Sequence, residues 1–429
     1  MLEPGRRRRT LRDVAYAQQK TLGVATTALV LMFIARLTLW PTGGTLPSHF
    51  ETCVPCGQDG TADFILNLAI FVPVGIGLRL AGLRRRTVVL TVVAISGTIE
   101  ALQFFVVPGR ESDLSDLIAN SSGGAVGLAL ADLRRAVLAP SRALAGRLAA
   151  GGALAWCVLA VAVQYALTPS LPTSIYYEQV APDLPHYAVF DGTVLDATFN
   201  GEPFRSGRLS ADASMAMRDT LLAGRAVVAA RVLPGTPRPR LAPIASVYDH
   251  RRAEIFVLGR RANDLVFRMR RRSTGMGFHS PSAVLTGALP HGPAPTDTLR
   301  LSATVQSGVM ALDLAGRRRR AHLRVGEGLW EAWRMLVADD GRVFGVHARA
   351  VTMLWIVALA FPLGYWSGHT APGEGAGRAG SLTATGLAVA LALGIIPWAA
   401  GALPAPWPIW LVTVGAVALA WGVAQWIDR

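Results

Sequence analysis

Long apolar stretches separated by short polar loops occupy the first and last parts of the chain. A helix that crosses the hydrocarbon layer of a membrane needs about 20 mostly apolar residues. Eight stretches approach that length, and we predict spans at residues 21–40, 62–80, 87–107, 114–133, 149–167, 348–366, 381–400 and 407–426. The fourth stretch is the most polar, because it contains Asp116, Asn120, Ser121 and Ser122.

The segment between the fifth and sixth predicted spans has a different pattern. Short apolar runs alternate with turn residues such as Pro234 and Gly235. Residues 255–259 and 265–270, joined by a polar turn, are typical of a β-hairpin, and residues 310–316 predict a further strand. Short strands at regular spacing indicate a β-sandwich. The predicted fold class is therefore a multi-pass α-helical membrane protein with about eight spans and an inserted all-β sandwich.

Composition supports the membrane assignment, and charge orients the spans. Of 429 residues, 52% are hydrophobic and 16% are charged, with a formal net charge of +14. Soluble proteins carry about 25% charged residues, so this composition excludes a disordered or wholly soluble chain. Arginines cluster at residues 6–9, 84–86 and 134–147, whereas the loops at residues 41–61 and 108–113 contain only Arg110. Under the positive-inside rule, this alternation predicts a cytoplasmic N-terminus.

This orientation divides the chain into four predicted parts. They are a basic cytoplasmic segment (1–20), a five-span bundle (21–167), an extracytoplasmic β-sandwich (168–346) and a three-span region (347–429). Both termini are then cytoplasmic. The first apolar stretch is not followed by a clear cleavage site, so we interpret it as a retained anchor. The basic residues flank membrane spans without a nucleic-acid-binding motif, so nucleic acid is not an expected partner.

Polar side chains recur near one end of the second, third and fourth predicted spans. Spacings of three or four residues place such side chains on one face of each helix. Ionisable groups within spans are costly and usually face a bundle interior or a water-filled cavity. We therefore predict one polar pocket near the outer leaflet, formed by Asp63, Asn67, Glu100, Gln103, Arg110, Asp113, Asp116 and Asn120.

The sequence leaves two roles open for this pocket. Glu100, Arg110 and Asp116 could form a structural ion-paired brace. Alternatively, Arg110 could bind a phosphate or carboxylate, with Glu100 or Asp116 as general acid or base. The sequence contains no Ser-His-Asp arrangement and no metal-ligand spacing. No catalytic residue, cofactor or metal ion is therefore assigned, and whether the protein is an enzyme stays open.

Some of these positions also have structural interpretations. Asp63 and Asp113 suit the N-termini of helices, where the helix dipole favours a carboxylate. Gly123 and Gly127 form a small-xxx-small pair, a pattern that mostly serves close helix packing.

The three cysteines divide into a pair and a single residue. Cys53 and Cys56 lie in the first predicted outer loop, where an oxidising compartment permits a disulfide. A C-x-x-C pair can also be redox-active, but no thioredoxin-like βαβ pattern surrounds it, which favours a structural disulfide. Cys157 lies inside the fifth predicted span and is interpreted as a packing residue.

Five ordered motifs resemble the VanZ-like family over about residues 20–165. They are DFILNLAIFVPVG at residues 63–75, EALQ at 100–103, PGR at 108–110, DLSDLIAN at 113–120 and GGAVG at 123–127. The resemblance implies a protein of the bacterial cytoplasmic membrane and the cell envelope. It also implies an association with resistance to the glycopeptide antibiotic teicoplanin. The inserted β segment and three further spans depart from the minimal family pattern.

The β segment has its own resemblance, over about residues 190–335, to the concanavalin A-like (laminin-G-like) sandwich. Glycosidases of that superfamily carry paired glutamates on one strand. No E-x-D-x-x-E motif occurs here, so we expect a binding module rather than a hydrolase. The arginine clusters at residues 270–272 and 317–320 either meet anionic polymers or headgroups, or are solvated loop residues.

Three functions remain in competition. The first is a VanZ-like envelope protein, linked to glycopeptide resistance or envelope maintenance, with an outer polar pocket and a ligand- or partner-binding sandwich. The second is a membrane enzyme acting on lipid-linked envelope precursors or lipid headgroups at the outer leaflet. A transporter ranks last, because no inverted repeat is visible. Expected partners are membrane lipids, with cell-wall glycan, a lipid-linked precursor or a glycopeptide as candidates.

Overall fold

The computed structural model divides the chain into two units, Met1–Ser141 and Arg142–Arg429. The residues it describes are 4–41, 45–47, 49–57, 59–110, 112–184, 187–290, 297–306, 309–316, 320–337, 342–343, 346–370 and 376–428. The fifth predicted span begins the second unit, whereas we expected it to complete the N-terminal bundle.

The described residues of the first unit form a bundle of four helices. They are α1 (Pro4–Thr38), α2 (Gly60–Leu80), α3 (Arg85–Phe105) and α4 (Leu114–Leu138). Glycines bring α2 and α4 close together: a Cβ atom on Gly123 would collide with the Leu68 carbonyl, and one on Gly127 with the Val72 carbonyl. These contacts agree with the packing interpretation of the small-residue pair, because only hydrogen at these positions permits such close approach of two backbones.

The second unit starts with α5 (Arg142–Leu167) and continues into a β domain. One antiparallel sheet has the strand order β4-β1-β6-β7-β8-β9, and the other has the order β12-β11-β10-β5-β2-β3. The strands are β1 (Tyr176–Val180), β2 (Thr193–Phe199), β3 (Glu202–Pro203), β4 (Gly207–Arg208), β5 (Arg225–Leu233), β6 (Ala242–Asp249), β7 (Glu254–Arg261), β8 (Asp264–Met269), β9 (Ala283–Leu285), β10 (Leu299–Gln306), β11 (Val309–Ala315) and β12 (Arg320–Val325).

Both sheets contribute to one hydrophobic core. Alternate residues of a strand face opposite sides of a sheet, and β5 accordingly alternates exposed and buried positions. Phe199 from one sheet stacks on Phe256 from the other, with 5.9 Å between ring centroids. The two-sheet β domain is therefore confirmed, as is the β7–β8 hairpin, in which Phe256 pairs with Met269.

The domain is not all-β. A helix, α6 (Ala211–Leu222), joins β4 to β5. Ser210 caps it by accepting a hydrogen bond from the Ala213 amide at 3.2 Å. Its buried face is formed by Ser214, Met217 and Leu221, so this short amphipathic helix packs on the sandwich. A single turn of helix, α7 (Arg272–Gly275), follows β8.

The β domain leads back into helices through a 3₁₀ helix, Leu329–Met335, and a short hairpin of β13 (Arg342–Val343) and β14 (Val346–His347). Two indole groups connect the 3₁₀ helix to the next helix, α8 (Ala348–Gly368). The Trp333 Nε1–H donates to Thr352 Oγ1 and the Trp355 Nε1–H donates to the Leu329 carbonyl, both at 3.0 Å. The 3₁₀ helix that follows the sandwich is therefore attached to α8 by side-chain hydrogen bonds as well as by the chain.

Three further helical segments complete the second unit. They are α9 (Ala376–Ala390), which continues through a π-helical turn (Leu391–Ile395) into α10 (Ile396–Ala399), and α11 (Trp407–Ile427).

Seven helices in the described part of the chain are long and apolar enough to cross a membrane. They are Ala17–Thr38, Gly60–Leu80, Arg85–Phe105, Arg142–Leu167, Ala348–Gly368, Gly380–Ala399 and Trp407–Ile427. The remaining predicted span, α4, is a helix of 25 residues whose polar residues keep it out of this set. Large apolar side chains such as Leu29, Leu90 and Leu411 are exposed on these helices. The chain is thus a multi-pass helical membrane protein whose spans contact lipid.

Candidate functional site

A cavity of about 800 Å³ lies at the end of the first unit where α2 and α4 begin. Its walls are the loop after α1, the first turn of α2, the loop after α3 and the first turn of α4. We call it the acidic cavity. Among the predicted pocket residues, those lining it are Asp63, Arg110, Asp113 and Asp116, together with Cys53 and Cys56.

Backbone hydrogen bonds hold the loop after α1 against the start of α4. The Glu51 amide donates to the Ser112 carbonyl at 3.2 Å, and the Leu114 amide donates to the Glu51 carbonyl at 2.9 Å. Cys53 and Cys56 are joined by a disulfide within the same loop, with their Cα atoms 5.6 Å apart. The loop is thereby fixed as one wall of the cavity.

Asp113 and Asp116 lie at the N-terminus of α4. The Asp113 carboxylate accepts a hydrogen bond from the Asp116 amide at 2.7 Å, which makes Asp113 the N-cap of α4. Asn67 Nδ2 donates to Asp116 Oδ1 at 2.5 Å and so connects α2 to α4. Asp113 therefore caps α4 and also lines the acidic cavity.

Glu100 lies behind the cavity wall and is only 5% exposed. Its Oε2 atom accepts hydrogen bonds from Ser112 Oγ and from the Asp113 amide, each at 3.0 Å. Its Oε1 atom has no hydrogen-bond partner among the described residues. Glu100 thus supports two residues of the cavity wall from α3 and retains one unused acceptor.

Arg110 does not form the ion-paired brace that was one of the two alternatives for this group in the described part of the chain. Its guanidinium donates to the Leu37 carbonyl at 2.5 Å and to the Trp40 carbonyl at 3.3 Å. These carbonyls lie at the C-terminal end of α1, where the helix leaves its last acceptors without internal partners. In the described part of the chain no ion pair joins Arg110 to Glu100 or Asp116. The guanidinium of Arg110 therefore binds the carbonyls at the end of α1.

Two further predicted residues tie helices together. Gln103 Nε2 donates to the Thr38 carbonyl at 3.1 Å, joining α3 to α1. Asn120 Nδ2 donates to Ser96 Oγ at 3.0 Å, joining α4 to α3. Both are interhelical hydrogen bonds of the kind that membrane bundles use, and neither residue lines the cavity.

The loop after α1 adds residues to the cavity that were not among the predicted pocket residues. Glu51, Asp59 and His49 line it. The His49 imidazole contacts the Glu51 carboxylate at 2.6 Å. Among the described residues, five carboxylates and one arginine therefore line the cavity, and the arginine directs two of its N–H groups to backbone carbonyls. Within the described ranges no group of three His, Cys, Asp or Glu residues is arranged to hold a metal ion.

The second unit contains a separate buried ion pair, Arg271 with Glu327, at 2.5 Å. Their side chains are 4% and 6% exposed. Arg271 also donates to the Leu167 carbonyl at the end of α5, at 2.5 Å. Burial raises the pKa of the Glu327 carboxyl above its ordinary value, although Arg271 and Arg334 act in the opposite direction.

This ion pair changes the interpretation of the arginine cluster at residues 270–272. Arg271 is buried, Arg270 lies 3.8 Å from Asp249, and Arg272 lies over the Tyr165 ring at 4.6 Å. The cluster is therefore used inside the second unit and does not form an open basic surface. In the other predicted cluster, residues 317–319 lie outside the described residues, and Arg320 is exposed.

These features define a multi-pass membrane protein with a polar cavity in its N-terminal helical unit. The family model VanZ/LLP1 matches residues 16–135, a range that contains every residue of the predicted pocket and supports a VanZ-like region there. No curated protein and no solved structure matched the chain. The concanavalin A-like resemblance of the β domain therefore has no support beyond its two antiparallel sheets.

Proposed function

We propose that this chain is a VanZ-like protein of the bacterial cell envelope, whose N-terminal unit binds the polar head of an envelope amphiphile at the outer face of the cytoplasmic membrane. The observation that carries this proposal is the acidic cavity, which is about 800 Å³ in volume and is built where membrane helices end. Ionisable side chains at such positions usually serve a ligand or an aqueous path.

The arrangement of charge supports the orientation in this proposal. Arginines flank the opposite ends of the helices, and under the positive-inside rule this supports an outer position for the cavity. Both termini are then cytoplasmic and residues 168–346 are extracytoplasmic. A Cys53–Cys56 disulfide beside the cavity suits an oxidising compartment.

The β domain has the second role in the proposal. As a concanavalin A-like module without paired catalytic glutamates, it would bind a cell-wall glycan, a lipid-linked precursor or a glycopeptide rather than cleave one. The biological outcome would be envelope maintenance or resistance to teicoplanin-type glycopeptides.

A membrane enzyme is the alternative function, and one observation favours it. The Glu100 carboxylate is held against Ser112 and Asp113 of the cavity wall and keeps an unpartnered oxygen. A buried carboxylate beside a ligand cavity is a usual starting point for acid–base catalysis. The substrate would be a lipid headgroup or a lipid-linked precursor at the outer leaflet.

The test compares teicoplanin sensitivity in cells that produce equal amounts of each variant. Asp116→Asn removes a cavity charge, and Asp132→Asn is the matched control, because Asp132 lies further along α4 and pairs with Arg79 and Arg85. We expect Asp116→Asn to abolish the protection that the wild type gives, and Asp132→Asn to retain it. Equal protection by both variants would contradict a role for the cavity.

Glu100→Gln separates the two functions. It keeps the size of the side chain but cannot transfer a proton. A binding protein would keep its protection with Glu100→Gln, whereas an enzyme that uses this carboxylate would lose it. Loss of protection on deleting residues 168–346, with the N-terminal unit still inserted, would show that the β domain is needed as well.

A further inference from the structure

The second unit contains a cavity of about 360 Å³ between its β domain and the ends of its helices. We call it the Arg271 cavity, after one of the residues that line it. Its walls are formed by the end of α5, the end of α6, strands β8, β10 and β11, and the turn after α10. Ligand cavities in proteins typically measure about 300–1,000 Å³, so this one has room for a small ligand or for part of a larger one.

The interior of the Arg271 cavity is mostly apolar. Leu221, Met269 and Met310 line it, and each of these side chains is buried. Leu167 and Val305 add further buried apolar surface. A buried water molecule needs about two to four polar partners, which such walls do not provide. This part of the cavity therefore suits hydrocarbon better than water.

Two charged side chains of the cavity wall each retain an atom without a hydrogen-bond partner among the described residues. They are Arg271, at Nε, and Glu327, at Oε2. The ion pair joins Arg271 Nη2 to Glu327 Oε2 at 2.5 Å but lacks hydrogen-bond geometry. Buried donors and acceptors nearly always have partners in native proteins. We therefore expect a bound molecule to supply an acceptor for Nε and a donor for Oε2.

The charges on the cavity wall cancel. Arg271 and Glu327 are the only charged residues among the described lining residues, and their charges are opposite. Arg334 also acts on Glu327, but it is paired with Glu331. The cavity thus offers no net charge that would select a phosphate or an ammonium group. A hydroxyl group suits it, because a hydroxyl both donates and accepts hydrogen bonds.

The mouth of the cavity lies at the level of helix ends. The exposed lining residues are Leu222, Ala223, Ala400 and Gly401. Ala400 and Gly401 belong to the turn between two helices that are apolar enough to cross a membrane, Gly380–Ala399 and Trp407–Ile427. Trp398 and Trp407 lie on either side of this turn and are 71% and 72% exposed. Tryptophan at helix ends is typical of the membrane–water interface, where a lipid presents its head.

We propose that the Arg271 cavity binds a neutral lipid with a hydroxylated head, whose hydroxyl groups meet Arg271 and Glu327 while the first part of its chain packs on the apolar walls. This site is built entirely from residues of the second unit. It therefore does not depend on the proposed role of the acidic cavity, and either proposal can fail without the other.

The test uses the full-length protein in phosphatidylcholine nanodiscs and four photoreactive probes. Each probe has the same acyl chain with a diazirine near the head. The heads are a glycerol diol, a glucosyl glycerol, the dimethyl ether of the diol and a glycerol phosphate. After irradiation, mass spectrometry locates the labelled residues, and labelling of the cavity lining is scaled to labelling at Leu354, which is 66% exposed on α8.

We expect one of the two uncharged hydroxylated probes to label the lining about fivefold or more above the ether, because the ether cannot donate a hydrogen bond to Glu327. The phosphate probe should also label weakly, since the wall has no net charge. The stronger hydroxylated head then identifies a glyceride or a glycolipid as the source. Equal labelling by all four probes would overturn the proposal, as would an unlabelled lining, the result expected of a cavity that holds only water.

Two phenylalanine variants provide the matched control. Ala223→Phe adds bulk at the mouth, whereas Ala216→Phe adds the same group at an exposed position of α6 outside the lining. We expect labelling of the lining to be lost in Ala223→Phe and retained in Ala216→Phe. Equal labelling in the two variants would overturn the proposal.

A competition measurement on the wild type needs no substitution. An excess of unlabelled monoacylglycerol or its glucosyl form should reduce labelling of the cavity lining and leave labelling at Leu354 unchanged. Parallel decreases at both places would mean that the probe is diluted in the bilayer and has no site, which would also overturn the proposal.

Discussion

Removing one partner of the Arg271–Glu327 ion pair should destabilise the second unit strongly and unequally. Glu327→Gln leaves a guanidinium that cannot lose its proton in a site that is almost completely buried. Arg271→Met leaves a carboxyl that can become neutral, because burial already raises the pKa of Glu327. Breaking a buried pair typically costs about 3–5 kcal/mol. We expect the loss of unfolding free energy in Glu327→Gln to lie near the upper end of that range, and the loss in Arg271→Met to be smaller.

The pH dependence of the two variants follows from the same difference. In Arg271→Met, the folded state holds the Glu327 proton more tightly than the unfolded state does. Acidification should therefore stabilise this variant. Its loss of unfolding free energy relative to the wild type should grow as the pH rises from the unfolded pKa of about 4.3 toward the raised pKa of Glu327 in the folded state. Glu327→Gln has no carboxyl at this position, so the unfolding free energy of this variant should lack the pH dependence that Glu327 contributes.

Thermal unfolding of the full-length protein in detergent, followed by tryptophan fluorescence, measures these effects. A deficit of about 3–5 kcal/mol corresponds to a decrease in Tm on the order of 10 °C for a unit of this size. The control is Arg231→Met, because Arg231 is 51% exposed where it pairs with Asp196 and such exposed pairs contribute little to stability. The double variant Arg271→Met/Glu327→Leu should be more stable than Glu327→Gln, since no uncompensated charge remains.

The reasoning would be refuted by either of two results. Glu327→Gln could prove as mild as Arg231→Met, which would mean that the pair is not buried as described. Alternatively, the double variant could lose the sum of the two single deficits, which would mean that Arg271 and Glu327 act independently.

Three further predictions concern packing, acid stability and topology. Gly127→Ala should destabilise the first unit by about 1–3 kcal/mol, because the added methyl group meets a backbone carbonyl of α2. The control is Gly97→Ala, whose methyl group meets open space and which should be neutral or stabilising. Equal effects of the two variants in denaturant titrations would contradict this account of the packing. Hydrogen bonds from Thr236 hold the pKa of the Asp191 carboxyl below its ordinary value. Asp191→Asn should therefore lower the free energy of unfolding by about 0.5–1 kcal/mol at pH 7, and by nothing once the pH falls below the folded pKa. A loss of stability that persists in acid would exclude this origin. Single cysteines placed at residues 84–86 should be alkylated only after the membrane is made permeable, and labelling from outside would reverse the proposed orientation.

The helices could be predicted closely from the sequence because membrane thickness sets their length. The span predicted at residues 407–426 corresponds to the helix Trp407–Ile427. The span predicted at residues 348–366 corresponds to the helix Ala348–Gly368. The 12-residue α6 was missed because its buried face has only three residues, one of which, Ser214, is polar. Hydropathy cannot detect so short a helix between strands.

The candidate site could be predicted only in part. The types and spacings of the polar residues on α2, α3 and α4 indicated the end of the bundle at which the cavity lies. Asp116 on α4 accepts a hydrogen bond from Asn67 on α2. The partner of Arg110 could not be predicted, because the carbonyls at the end of α1 belong to the backbone and leave no residue signal. Likewise, Glu51 reaches the cavity only through backbone pairing with Ser112 and Leu114.

The β domain is attached to the helices of its unit on more than one side. Arg271 holds the end of α5, and the hydrogen bonds of Trp333 and Trp355 hold α8. A domain on a flexible linker would move independently of the membrane helices. Here a displacement of the β domain would be transmitted to α5 and α8, the helices that precede and follow it, through these hydrogen bonds.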